Sequence, residues 1–371
     1  MRLSNRDSGR PYVDIDRHAL CTFLDACLSE TELPSLRDRV AGLRRDIMDM
    51  PITSVNEGFA LLPSVEPNDP GAAFSRNVLL EQLQQILEAR TLRRAHYYLQ
   101  RLRKSLTEVR RSVVNDINLN RWKEYDTIRT DSLWLVDRRD ASGAHEAWYW
   151  GNFIPEIPRQ MMLRYTRAGD WVLDPFAGSG TTLIECRRLG RHGLGIELNA
   201  EVVAQASCRV AEEPNPFGVT TTLVTADSTT LDFRALLGAH DVDQVQLLIL
   251  HPPYHDIICF SDGERDLSNA PDVEAFIESF ADVVSRARKV LEPGRYLVVV
   301  IGDKYQDGAW IPLGFYVMQA VMEQGCRLKS VVVKNLDRTR AKRSQQALWR
   351  YRALVSGFYV FKHEYILVFQ T

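Results

Sequence analysis

The sequence predicts a doubly wound α/β domain preceded by a helical one, on three observations. From Trp171 onward, short apolar runs alternate with helical patterns, the mark of a parallel sheet. One of those runs stops at Asp174-Pro175 and passes through a small-residue loop into a helical pattern at Thr181, as a strand, a tight turn and a helix N-terminus would. Before residue 130 the periodic stretches are helical, apart from one proline-rich loop. A chain of 371 residues is also long for one domain. The expected division is 1–130 and 131–371.

Composition sets the bounds. With 45% hydrophobic and 25% charged residues, the chain can bury a sizeable core and is not globally disordered. The net charge of −2 gives no argument for nucleic acid, so any such surface must come from local clustering. Cys21, Cys27, Cys186, Cys208, Cys259 and Cys326 show no metal-type spacing and read as buried free thiols in a reducing cytosol. The start is polar, without a signal-peptide core, and no apolar run reaches membrane-spanning length. A soluble, cytoplasmic protein is expected, with no membrane partner.

Taken in order, Asp14 to about Met50 is helical, with Leu20, Phe23, Leu24, Cys27 and Leu28 recurring at three and four and a break at Thr31–Pro34. Pro51 to Ala73 carries four prolines and reads as a loop. A long helical stretch follows from about Asn77 to Asn118, interrupted once at most. It is dense in Arg90, Arg93, Arg94, Arg101, Arg103, Lys104, Arg110 and Arg111, with Arg121 and Lys123 just beyond. That run is either a solvated helix face or a phosphate-contacting arm. Asp131 to Gly151 is irregular, with a short strand within Ser132–Val136. The aromatic run Trp148-Tyr149-Trp150-Gly-Asn-Phe153 either packs in a core or walls a pocket where faces stack.

Strands are expected at 171–173, 193–198, 221–225, 246–250 and 296–301, with helices between them, notably 272–291 and 313–324. Runs 327–334 and 365–370 read as two further strands joined by a long excursion in place of a helix. Ligands in such a sheet bind at the carboxyl ends of the strands, where Asp174, Glu197, Asp227 and His251 all fall. Gly178 and Gly180 allow close backbone approach, and the helix start favours electron-rich groups. Glu197 ends the next apolar run about 20 residues on, the usual place for a carboxylate holding a ribose diol. Asp227 either meets a ligand or caps a helix.

At these residues the chain resembles a known family. Asp174-Pro-Phe-Ala-Gly-Ser-Gly-Thr-Thr182, Gly195-Ile-Glu-Leu-Asn199 and Leu250-His-Pro-Pro-Tyr254 are similar to motifs of the amino-group DNA methyltransferases, which methylate adenine N6 or cytosine N4. The resemblance runs roughly from Asp131 to Thr371. It implies a Rossmann-like methyltransferase sheet with a terminal antiparallel hairpin, and S-adenosylmethionine as cofactor. It also implies a cofactor site of Asp174, Phe176, Gly178, Ser179, Gly180, Thr181, Glu197 and Asp227, with Phe153 in a segment beside the methionine end. No metal is required by this chemistry, and no Pro-Cys pair exists for methylation at cytosine C5.

Methyl transfer would occur at His251-Pro252-Pro253-Tyr254. The target nitrogen is a poor nucleophile because its lone pair is delocalised into the ring. In the family an Asp, Asn or Ser side chain and the first proline's carbonyl accept hydrogen bonds from it, and the tyrosine stacks on a flipped base. Here position 251 is His. A neutral imidazole accepts one hydrogen bond and an imidazolium none, so activity through it collapses in acid. The alternative is a disabled site in a DNA-binding subunit that keeps the fold. RNA is an alternative substrate.

Between residues 334 and 352, Lys334, Arg338, Arg340, Lys342, Arg343 and Arg350 lie among Trp349 and Tyr351 with one acid, Asp337. This basic excursion is the expected DNA-binding segment. Double-stranded DNA is the expected partner, with a nuclease or defence-complex subunit as a further one. Restriction–modification, phage defence and regulatory marking all use the same chemistry.

Overall fold

The computed structural model describes residues 11–54, 71–146, 148–336 and 346–371. They form two compact units, 1–128 and 129–371.

The first unit is not purely helical. Strand β1 (Pro11–Asp16) leads into α1 (Arg17–Leu28) and α2 (Leu33–Asp49); β2 (Thr53–Ser54) and β3 (Gly71–Ser75) flank β1 in an antiparallel sheet; α3 (Arg76–Leu87) and α4 (Leu92–Thr107) follow. The ends of the expected proline-rich loop are therefore strands. Asp16 caps α1 by accepting from the Ala19 amide at 3.0 Å, and Thr91 caps α4 through the Arg94 amide at 3.2 Å. Leu24, Leu36, Leu83, Leu99 and Leu102 meet in one core.

The helical stretch expected to reach Asn118 ends at Thr107. Beyond it Ser112 and Asn115 bond the amides of Val114 and Ile117, each at 3.1 Å, a local alternative that competes with the helix ladder. Arg121 is withdrawn from any phosphate-binding face. It is buried, paired with Glu124 at 2.7 Å, and its guanidinium lies 4.2 Å from the Phe74 ring centroid. Arg93, Arg94, Arg101 and Lys104 remain exposed on α4.

The second unit is built on eight strands. After β4 (Leu133–Trp134) and α5 (Glu156–Tyr165) come β5 (Trp171–Asp174), α6 (Thr181–Leu189), β6 (His192–Glu197), α7 (Ala200–Glu212), β7 (Thr221–Thr225), α8 (Phe233–Gly238), β8 (Val245–Leu250), α9 (Val273–Ala287) and β9 (Leu291–Ile301). A small hairpin of β10 (Lys304–Gln306) and β11 (Ala309–Ile311) precedes α10 (Leu313–Glu323), β12 (Arg327–Asn335), α11 (Gln346–Ser356) and β13 (His363–Gln370). The sheet order is β4-β12-β13-β9-β8-β5-β6-β7, parallel from β9 through β7, with β13 inserted antiparallel between β9 and β12. This is the doubly wound methyltransferase arrangement.

Three expectations change. The terminal hairpin is not outermost, because β4 pairs parallel outside β12. The excursion between its strands contains a helix, α11. Of the six thiols, Cys27, Cys186 and Cys326 are buried, while Cys208 and Cys259 are exposed.

The core lies between the sheet and its helices, with Leu173, Leu194, Leu248, Val299 and Leu367 meeting Phe276 and Phe280 of α9. No helix among the described residues is long and apolar enough to cross a membrane. Within this apolar sheet one cross-strand pair is charged. Lys334 on β12 faces Glu364 on β13, Nζ to Oε1 3.0 Å, with side chains 5% and 6% exposed. Removing one partner alone leaves an uncompensated buried charge. Lys334→Met is therefore expected to cost about 3–5 kcal/mol in urea unfolding, whereas Lys334→Met with Glu364→Met is expected to be nearly neutral.

Candidate active site

The order of the strands reverses between β5 and β8, and a cavity of about 1420 Å³ opens at their carboxyl ends. Ordinary small-molecule sites hold about 300–1,000 Å³, so there is room for a cofactor and a second group. Loops after β5, β6, β7, β8 and β9 all contribute to its walls.

The loop after β5 is shaped from behind by Asp174, which is fully buried. Its two oxygens accept from the Phe176 amide at 3.0 Å and the Thr182 hydroxyl at 2.5 Å. Burial lifts its pKa to about 7 against those two donors, with Glu197 adding to the rise. The structure thus gives Asp174 a different place from the one expected: it holds the loop and does not line the cavity. Ser179 and Gly180 also lie behind the lining; Ser179 accepts from Asn152 Nδ2 at 2.9 Å, tying in the segment that carries Phe153.

Phe176, Gly178, Thr181, Glu197, Asp227 and Phe153 do line the cavity. Gly178 has φ +49° and a Cβ there would stand 3.0 Å from the Tyr149 ring, so a side chain would be strained by the backbone and crowded by the ring. Glu197 accepts from the amides of Gly178 at 3.1 Å and Asn199 at 2.9 Å; burial raises its pKa, against these amide donors. Asp227 does not cap a helix. Its Oδ1 accepts from the amide and hydroxyl of Thr229, α8 is capped by Asp232, and Asp227 Oδ2 is buried without a hydrogen bond, with the exposed Arg265 Nη1 3.5 Å away. Tyr149, Trp150 and Phe153 place the aromatic run in the wall; Tyr149 stacks on Phe260 with centroids 5.6 Å apart.

His251, Pro252, Pro253 and Tyr254 follow β8 into the same cavity. His251 Nε2 lies 3.2 Å from Tyr254 Oη, which donates to Glu364 Oε2 at 2.9 Å. Burial pushes the His251 imidazole down to about 4, Glu364 opposing and Lys334 assisting, so it is neutral at physiological pH. Burial and the neighbouring Glu364 carboxylate raise the Tyr254 phenol well above its usual value. Gly302 packs on that ring: a Cβ there would sit 2.8 Å from it. Beside them Lys304, buried, donates to His255 Nδ1 at 2.7 Å and pairs with Asp256, bracing the loop after the motif.

The expected DNA-binding segment divides. Lys334 is not available to phosphate, because it is buried in its pair with Glu364 and also donates to the Asn335 carbonyl at 2.7 Å. Arg338, Arg340, Lys342 and Arg343 lie outside the described residues. Arg350 is exposed on α11, next to Tyr351, which is 65% exposed.

Sequence reasoning missed Glu364 and Arg139. Glu364 was legible only as an acid near the start of the last apolar run. Arg139 lines the cavity and donates to Asn152 Oδ1 and the Phe153 carbonyl, while its Nε and Nη2 are buried without hydrogen bonds. Elsewhere Asp140, His145 and Glu185 converge, but Arg188 already bonds Asp140 and Glu185 and Arg159 lies 3.6 Å from Glu185.

The family model described as DNA methylase matches residues 97–207. The chain is related to the amino-group DNA methyltransferases. It is 42% identical over 79 residues to the Type II methyltransferase M.XycI of Xanthomonas campestris pv. cyanopsidis, covering 21% of this chain and 25% of that protein. To M2.DpnII of Streptococcus pneumoniae it is 28% identical over 179 residues, 47% of this chain and 60% of the relative. The chain thus spans about a quarter of the length of the former and under two thirds of the latter. TrmN from Thermus thermophilus aligns with a TM-score of 0.38 at 15% identity over 60% of this chain and 50% of its own.

The cofactor these relationships imply is S-adenosylmethionine, and the residues present fit it. Glu197 suits a ribose diol, Asp227 Oδ2, which has no hydrogen bond and only the exposed Arg265 guanidinium 3.5 Å away, suits an exocyclic amine, and the two Arg139 nitrogens without hydrogen bonds suit a carboxylate. Each charge-assisted hydrogen bond is worth about 1.5–3 kcal/mol, roughly 10–100-fold in affinity. Arg139→Ala is expected to weaken S-adenosylmethionine by that factor in calorimetry. Methylthioadenosine, which lacks the carboxylate, should bind the variant and the parent alike.

Proposed function

We propose that this chain transfers the methyl group of S-adenosylmethionine to the exocyclic amine of a base in double-stranded DNA, adenine N6 slightly favoured over cytosine N4. One observation carries the reading: the Gly178–Glu197–Asp227 wall and His251-Pro-Pro-Tyr254 share one cavity at the strand ends. When bound, the cofactor supplies an electrophilic methyl group.

The chain's own residues do the rest. Pro252 and Pro253 lack amide protons, so the turn presents acceptors and no backbone donor at those two positions to repel an incoming amine. The neutral His251 imidazole accepts one of its hydrogens, and electron density builds on nitrogen as the hydrogen bond tightens. The base reaches this depth by leaving the stack, and Tyr254, its ring backed by Gly302, offers it an aromatic face. Arg350, Tyr351 and Arg352 on α11 are exposed and combine cations with an aromatic, as a backbone-tracking surface does. Among the described residues of the basic segment, these three are the ones placed to meet a duplex.

The decisive experiment incubates the purified chain with S-adenosylmethionine and unmethylated genomic DNA, then identifies the nucleosides by mass spectrometry. N6-methyladenine or N4-methylcytosine, absent with His251→Ala, supports the reading. If no base is methylated in either DNA or RNA while the cofactor still binds, the chain is a non-catalytic subunit.

The pH profile is a second test. His251 must be unprotonated to accept, and its folded value of about 4 lies below the ordinary imidazole range. The rate limb due to His251 is therefore expected near pH 4 instead of about 6.5. The same shift makes the folded state bind fewer protons than the unfolded chain between about pH 4 and 6.5, so this group's contribution to stability falls as pH drops through that window. A limb in kcat near the ordinary imidazole value, lost in His251→Asn, would contradict the assigned environment. Gly302→Ala should lower kcat at least about 10-fold by displacing Tyr254, with cofactor affinity unchanged.

A further inference from the structure

The imidazole of His251 has two nitrogens and, when neutral, one proton, so it can accept from an amine at one nitrogen only. Which one is a question of hydrogen-bond direction, and the residues around it answer it. Glu364 Oε1 takes Lys334 Nζ at 3.0 Å, and Oε2 lies 2.9 Å from Tyr254 Oη. A carboxylate has no proton to give, so the phenol donates to it. Tyr254 Oη then has only lone pairs left for its other neighbour, His251 Nε2, at 3.2 Å. That contact is a hydrogen bond only if Nε2 carries the proton. The lone pair is left on Nδ1. Nδ1 makes no hydrogen bond among the described residues and is not among the buried atoms without a partner, while the ring lines the cavity.

We propose that Glu364, acting through Tyr254 Oη, fixes the tautomer of His251 with the proton on Nε2, so that Nδ1 is the acceptor turned toward the target amine. Glu364 is a positioning residue, since it acts on His251 through the Tyr254 hydroxyl. Lys334 holds it by occupying the second oxygen. The last step, delivery of the acceptor to an amine, rests on the proposed methyltransferase reading; the tautomer itself does not.

Two double variants separate the acceptor at position 364 from its charge. Glu364→Gln alone is ambiguous, because Lys334 would claim the amide oxygen and turn the amide NH2 toward the phenol. With Lys334→Met present, the introduced amide is free to offer its oxygen to Tyr254. Lys334→Met/Glu364→Gln therefore keeps the acceptor, and Lys334→Met/Glu364→Met removes it. Without an acceptor the phenol donates to His251 Nε2, and the proton moves to Nδ1.

The test is nitrogen NMR of the full chain labelled in its histidine rings, with the His251 signals assigned by their loss in His251→Asn. The expected result is a protonated Nε2 and an unprotonated Nδ1 in the parent and in the Met/Gln variant, and the reverse in Met/Met. Among active samples, kcat for DNA methylation should fall about 100-fold or more in Met/Met relative to Met/Gln, the scale of a lost proton-accepting group, with the KM for S-adenosylmethionine unchanged. A proton on Nδ1 in the parent overturns the proposal, and that spectrum is readable whether or not either variant folds. The same tautomer in both folded variants also overturns it. The spectra need neither DNA nor turnover, so a chain that shows the expected tautomers yet methylates nothing contradicts the methyltransferase reading and leaves the relay intact.

Discussion

The site depends on one buried carboxylate. Asp174 ends β5 and ties the second residue of the loop and the first turn of α6 to itself, through the Phe176 amide and the Thr182 hydroxyl. With both ends of the loop fixed, Gly178 is left at positive φ against Tyr149, its amide bonded to Glu197 on the neighbouring strand. The acid is displaced far from its ordinary range, to about 7, so burial disfavours its ionised form. A hydrocarbon side chain of similar shape would avoid that cost. It would also leave the amide and hydroxyl without an acceptor, and the loop would lose its shape.

The second constraint is the direction of β13. Antiparallel to β9, with Tyr365 opposite Ile301, it brings its first residues to the carboxyl ends of the parallel strands. His363, Glu364 and Tyr365 thus stand beside Gly302 and Asp303, and Tyr365 donates to Asp303 at 3.1 Å. β12 runs parallel to β9 and delivers its last residues, Lys334 and Asn335, to the same end. The charged pair sits at that end because both strands of the hairpin meet the site there. Farther along, β12 and β13 carry mainly apolar residues such as Val332, Ile366, Leu367 and Phe369 into the core.

The parts of this arrangement that depend on local order were legible in the sequence. The strand–loop–helix at 171–182, Glu197 at the end of the next strand and the alternation of strands and helices all follow from short-range pattern. What was not legible depends on long-range contact. Lys334 looked like one more cation in a basic run, because composition carries no information about a partner as distant in the chain as Glu364. Asp174 looked like a ligand because its position suggested it, but its oxygens are taken by its own loop. The strand β3 was hidden in a proline-rich stretch because its pairing with β1 lies 55 or more residues back in the chain. Past the end of α4 at Thr107 the chain is held by side-chain-to-backbone bonds that a periodicity count does not register.

The histidine at 251 gains its meaning from these long-range contacts. A carboxylate or amide side chain offers an oxygen acceptor with two lone pairs, and modest rotation keeps one of them on target. An imidazole offers one acceptor, whose place is decided by a proton that can sit on either nitrogen. A histidine in this position therefore needs a second group to choose the tautomer, and a third to keep the second from donating the wrong way. Tyr254 and Glu364 stand in those two places, and Lys334 anchors the chain's far end. On this argument the substitution and the buried ion pair are one device: the pair, which contributes little net stability by itself, earns its place in the sheet through the nitrogen it leaves unprotonated.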